Sequence, residues 1–167
     1  MATIYIQTGY NRAAAVAYAH QWAFGRNPRY YNFDPIGGDC TNFASQCIYA
    51  GSQIMQPGQL GWYYYNSNSR SASWAGVNFL RNFLVNNRGI GPYAVETPLW
   101  EVQPGDIVQL AIGHPYFHHS PVVVEVGYPV TPDTVLIAAH TYDADNRPLS
   151  TYEYHRMRCL HIMGVRR

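Results

Sequence analysis

The chain has 167 residues and a mass of 18.9 kDa, which suits one compact domain, residues 1–167, able to bury roughly 70% of its unfolded surface without a disulfide or metal. Aromatic residues make up 15% and charged residues 13%, against about 25% charged in ordinary soluble domains, and all 11 basic residues are Arg. The net charge of +1 excludes a basic nucleic-acid binder and an acidic disordered tail, and no apolar run approaches the ~20 residues of a membrane span.

The N-terminal Met1 to Ile6 has neither the basic flank nor the apolar stretch of a signal peptide. The first predicted helix covers residues 11–24, where an Ala-rich run follows Asn11, a good N-cap, and Gly25 and Pro28 stop it. Residues 34–39, Asp-Pro-Ile-Gly-Gly-Asp, are turn chemistry throughout. A second helix opens at Cys40, with Phe43, Cys47 and Ala50 on one face, and Gly51 ends it. Residues 52–73 are polar and aromatic without a clean period, which reads as a surface loop. A third helix is expected over residues 74–86, capped by Ser73, with Trp74, Val77, Leu80 and Leu84 on its apolar face.

Beyond Gly89 and Gly91 the pattern becomes β. The turn Pro104-Gly105-Asp106 feeds a strand over residues 107–110, and a Val-rich strand follows over residues 119–126. A return at residues 129–132 leads into a partner strand over 135–140, and the tail around residues 159–163 reads as a last strand. Helices first and an antiparallel meander after them define an α+β layout in a single domain.

The three cysteines, Cys40, Cys47 and Cys159, form neither a CxxC pair nor a repeating framework, which disfavours a structural zinc and a disulfide scaffold. Cys40 stands out because it occupies the first turn of a helix behind two glycines. There, unpaired N–H groups and the helix dipole favour the thiolate and can hold a developing oxyanion. Asp39 raises the thiol pKa if it points at the sulfur, whereas as an N-cap it points into the helix. The bland alternative is a buried, inert cysteine, and for Cys47 and Cys159 that reading prevails.

A thiol nucleophile needs an imidazole within reach and a third group to orient it. His114, His118, His119 and His140 are the candidates. A hairpin folded about residues 129–130 brings His119 and His140 roughly opposite each other, an arrangement in which one ring orients the other. Two rival sites use the same residues or their neighbours. The four histidines could hold a zinc ion, although Pro115 breaks the HxxxH spacing and no HExxH motif exists. Trp62, Tyr63 and Tyr64 could form a stacking platform in a sugar- or peptide-binding module, or serve only as core.

These blocks also carry a resemblance. Residues 10–19, the run Gly38-Asp39-Cys40-Thr41-Asn42-Phe43-Ala44-Ser45-Gln46-Cys47, the block 104–109, His118-His119-Ser120, and Ala139-His140-Thr141 with Asp143 are similar, in order, to the amidase domain of many Gram-positive bacteria. The Asp-Cys-Thr-Asn-Phe block is the specific part. That domain is grouped with the NlpC-type and CHAP-type papain-like cysteine hydrolases. The resemblance implies a papain-like core in which the nucleophile helix packs on an antiparallel sheet. It implies Cys40 as nucleophile, His119 as general base ahead of His118, and His140 as the residue orienting the base, with Asp143 or Asn146 as substitutes. Asp39 and His118 are support candidates, and Trp62, Tyr63 and Tyr64 are groove candidates. The implied reaction is hydrolysis of an amide bond in peptidoglycan or a related peptide, by a monomer that needs no cofactor or metal, in the cell envelope or outside the cell. A non-catalytic wall- or glycan-binding module and an acyltransferase on the same scaffold are the alternatives.

Overall fold

In the computed structural model, which describes residues 2–167, strand β1 (Gln7–Thr8) and helix α1 (Arg12–Trp22) lead to a 3-10 turn at Asp34–Ile36 and helix α2 (Cys40–Ser52). A small hairpin, β2 (Tyr64–Asn66) and β3 (Ser69–Arg70), precedes helices α3 (Ala72–Ala75) and α4 (Val77–Asn86). Six strands follow: β4 (Gly91–Thr97), β5 (Ile107–Ile112), β6 (Val122–Val126), β7 (Val135–Ala139), β8 (Ala144–Pro148) and β9 (Tyr154–Arg166). Seven strands make one antiparallel sheet in the order β1-β9-β5-β6-β7-β8, and β4 pairs with β9 along the edge that β5 leaves open. The architecture is mixed α+β, with the helices gathered on one side of a curled sheet.

Strand periodicity of two explains the layering. Ile107, Val122, Val124 and Ala138 face the helices and join Phe43, Ile48, Leu80 and Leu84 in the larger core. The alternate residues Val108, Leu110, Val123, Val135 and Ile137 enclose a second core with Leu149 and Cys159 on the other face. Because both faces are buried, the central strands are almost continuously apolar.

Asn11 caps α1 as its sequence suggests, its side chain accepting from the Ala14 N–H at 3.0 Å. Helix α2 begins at Cys40 and ends one residue past Gly51, where Gln53 takes the left-handed conformation. The segment expected to be a surface loop is instead part of the core. Trp62 is fully buried against Trp74 and Phe83, its indole N–H donating to Ser45 Oγ at 3.0 Å. The expected third helix is broken at Gly76 into α3 and α4. Ser73 does not cap it; its hydroxyl donates to the Gly61 carbonyl at 2.6 Å. Strands β1, β4 and β8 carry no strong β pattern of their own and exist through their partners.

Candidate active site

The site begins with the turn before α2. Gly37 and Gly38 have φ of 125° and 105°, and a Cβ on Gly38 would lie 2.9 Å from Thr141 Oγ1. Glycine is required at position 38 on both counts. This close approach lets the Asp39 N–H donate to Thr141 Oγ1 at 3.1 Å, while Thr141 itself holds a φ of 62°, uncommon for a β-branched residue. The tip of α2 is thereby fastened to the end of β7.

Asp39 does not cap the helix with its side chain. Its buried carboxylate turns away and accepts from the Phe33 N–H at 2.8 Å, Asn42 Nδ2 at 2.9 Å and His140 Nδ1 at 2.6 Å. Arg26 Nε approaches the same carboxylate at 3.6 Å. With that cap absent, the Cys40 N–H at the start of α2 has no acceptor among the described residues, as expected of a first-turn amide.

The expected role of His140 changes accordingly. Its Nδ1 faces Asp39, its Nε2 faces the Trp22 carbonyl at 2.8 Å, and its ring stacks on Phe43 with centroids 3.9 Å apart. Both nitrogens face acceptors. His140 thus anchors Asp39 and does not orient His119. The substitutes are also engaged elsewhere. Asp143 accepts a two-pronged bond from Arg26 at 2.9 Å, and Asn146 sits exposed within β8 with a φ of 53°.

Cys40 Sγ rests on the backbone around residue 119. It donates to the His118 carbonyl at 3.6 Å and lies 3.7 Å from Thr41 Oγ1. Thr41 Oγ1 meets Ser120 Oγ at 3.1 Å, and Ser120 is held in turn by Gln109 Nε2 at 3.2 Å. Burial pushes the thiol pKa up, outweighing the bonds from Thr41 and Ser120 that pull it down, and Asp39 adds to the rise. The helix start alone favours the thiolate, but desolvation wins here, so the resting group is the thiol.

His118 and His119 separate cleanly. His118 is exposed, its Nδ1 facing the Tyr116 carbonyl at 3.0 Å and its ring beside His114. His119 is buried, held by the bridge to Leu110 at the edge of β5, and its Nε2 lies 3.5 Å from the Tyr152 hydroxyl. Tyr152, at the end of the turn before β9, was not singled out by its sequence context; an isolated tyrosine among 15 gives no local signal. Its ring carries the Arg147 guanidinium 3.6 Å above its centroid. The histidines therefore do not converge as a zinc site, and among the described residues no group of three metal-ligating side chains is placed to hold an ion.

Burial lowers the His119 pKa to about 4, with His118 and Arg147 adding to the effect. The ring is neutral in the folded protein while an unfolded histidine takes up a proton near pH ~6.5. The unfolded state then binds more protons between these values, so stability falls as pH drops through that window and rises again toward neutrality. Urea unfolding at pH ~4.5 should show a loss of about 2–3 kcal/mol relative to neutral pH that His119→Gln does not share. Equal pH dependence in the two proteins would contradict this assignment.

The groove residues need correction as well. Trp62 and Tyr64 are buried core, the Tyr64 hydroxyl accepting from the Tyr31 N–H at 2.7 Å. Tyr63 is half-buried and packs on exposed Tyr65 with ring centroids 4.9 Å apart. Trp62 and Tyr64 cannot stack on a ligand because protein already covers both.

Residues 9–163 match the family described as "Putative amidase domain". The "Uncharacterized protein YhbB" of Bacillus subtilis (strain 168) is 33% identical over 142 residues. That alignment takes in 83% of this chain and 43% of the relative, so the chain spans less than half of the relative's length. No solved structure matches the chain. The family match runs from the residues before α1 into β9 and includes every residue placed around Cys40; the chain belongs to this family of amidase domains, whose named reaction is hydrolysis of an amide bond.

Proposed function

We propose that the protein is a cysteine-dependent amide hydrolase with a papain-like, NlpC- and CHAP-like core, acting on peptidoglycan or a related peptide. The observation that carries this reading is the seat of the Cys40 sulfur. It lies at the start of α2 against the backbone beside residue 119, 3.6 Å from the His118 carbonyl. His119 is the buried imidazole of that segment and is neutral, ready to accept a proton.

Resting thiol and neutral imidazole make deprotonation part of the attack. As Cys40 Sγ bonds to the substrate carbonyl carbon, its proton passes to His119, and the carbonyl oxygen becomes an oxyanion facing the free Cys40 N–H. Collapse breaks the C–N bond, His119 returns the proton to the leaving amine, and a thioester remains on Cys40. Water then attacks that thioester with His119 as base, releasing a carboxylic acid and restoring the thiol. Tyr152 is the polar neighbour of the base.

Incubation of the protein with muropeptides and a mixed peptide library, read by mass spectrometry, tests this. The expected result is product pairs whose masses sum to substrate plus one water. A binding module would leave every mass unchanged, and an acyltransferase would add an amine to the acyl fragment in place of water.

A further inference from the structure

Beside His119 lies a cation with no acidic partner. Arg147 is half-buried at the end of β8. Its Nε donates to Thr151 Oγ1 at 2.7 Å and its Nη2 to the Thr151 carbonyl at 3.1 Å, both neutral acceptors. Among the described residues it joins no salt bridge, and Nη1 has no partner, which leaves the Nη1–Nη2 edge of the fork open. The guanidinium is held in place by its two bonds to Thr151 and by the Tyr152 ring, whose centroid lies 3.6 Å away and whose hydroxyl reaches His119. Arg26, by contrast, spends its fork on Asp34 and Asp143, and Arg12 is bound to buried Asp106. A rigid, partly desolvated guanidinium with a free edge is suited to a planar carboxylate.

We infer that Arg147, seated on Tyr152, forms a subsite for a carboxylate of the substrate close to the amide bond that Cys40 attacks. This rests on the cysteine hydrolase reading and adds a substrate class to it: acidic peptides, in which a chain-end or side-chain carboxylate neighbours the scissile bond. Binding of that carboxylate neutralises the one charge that lies against Tyr152 and orients the carbonyl toward the sulfur.

The local charge is readable without any natural substrate, by alkylating Cys40 in the full chain with iodoacetate and with iodoacetamide. The two reagents differ in one negative charge, and mass spectrometry separates Cys40 from Cys47 and Cys159. A cation on the Tyr152 ring, whose hydroxyl reaches His119, favours the anionic reagent at the neighbouring sulfur, so the iodoacetate-to-iodoacetamide rate ratio should fall about three- to tenfold in Arg147→Gln and persist in Arg147→Lys. If Arg147→Gln does not fold, the wild-type ratio decides the matter, because it should drop as salt rises from about 0.02 M to about 1 M. A ratio indifferent to both Arg147 and salt, with Cys40 still reacting, overturns the subsite and leaves the nucleophile standing. Failure of Cys40 to react with either reagent overturns both. The two sources of carboxylate separate in the peptide library. Preference for free over amidated C-termini reports a chain end, preference for Glu over Gln reports a side chain, and indifference to both overturns the subsite.

Discussion

Replacing Cys40 with Ala should reduce amide hydrolysis by about a thousandfold or more while leaving the thermal midpoint nearly unchanged. The size of the effect follows from the way a nucleophile and its base act together: removing the sulfur leaves His119 with nothing to deprotonate, and only binding and the oxyanion contact remain. The small structural cost follows from the local packing. The thiol makes only long contacts, to the His118 carbonyl and Thr41 Oγ1, and Ala keeps the helix start intact. His119→Ala should cost about a hundredfold to ten-thousandfold for the loss of proton transfer alone. Steady-state rates on a cleaved muropeptide, paired with melting curves, check both. Unchanged turnover in Cys40→Ala would remove the covalent mechanism altogether. A loss of turnover that tracks a loss of folded protein would instead assign Cys40 a packing role.

The second large effect is expected at Asp39. Its carboxylate is buried, accepts from Phe33, Asn42 and His140, and has Arg26 at 3.6 Å. Asp39→Asn places an amide N–H₂ opposite His140 Nδ1, where the carboxylate oxygen now lies, so a donor replaces the acceptor in a buried site. Breaking the buried Asp39–His140 pair by removing one partner costs about 3–5 kcal/mol, and in a chain of this size each kcal/mol moves the melting point by about 2–4 °C. A fall of about 10 °C or more is therefore expected. His140→Gln should fall comparably, and the double variant by much less than the sum, because the second substitution has no pair left to break. Differential scanning calorimetry on the four proteins measures this. Two small, additive shifts would mean that the pair is not a clamp. A stable His140→Gln with abolished turnover would restore His140 to the catalytic group.

Both expectations concern one arrangement. The turn of Gly37 and Gly38, the Asp39–His140 pair and the bond to Thr141 hold the first turn of α2 against the ends of β6 and β7. Because Asp39 spends its carboxylate on His140, it leaves the first-turn amides uncapped, and one of those amides is the oxyanion donor of the proposed mechanism. Helix stability given up at that end is offset by the buried pair.

The helix that begins at Cys40 and the Val-rich strand after His119 were legible in sequence because each rests on local chemistry. Two glycines before a helix start, an apolar 3.6-residue period and a histidine leading a Val-rich strand are all read within about ten residues. The error over His140 has the same root. Strand pairing places it near His119 in register, but which way an end-of-strand ring turns depends on Trp22 and Asp39, 118 and 101 residues away in the chain. Trp62 and Tyr64 were misplaced because an aromatic run without period looks alike on a surface and in a core. Their burial comes from Trp74, Phe83 and Tyr31.

The sequence by itself determined the α+β layout, the helix that begins at Cys40 and the Val-rich strand that follows His119, since helix starts, turns and strand alternation are set by neighbouring residues. The tertiary structure alone decided that Cys40 rests as a buried thiol, that Asp39 and His140 bind each other, and that Arg147 and Tyr152 stand beside His119. Desolvation, ion pairing and stacking depend on which distant groups close around a side chain, and chain order carries no local mark of that.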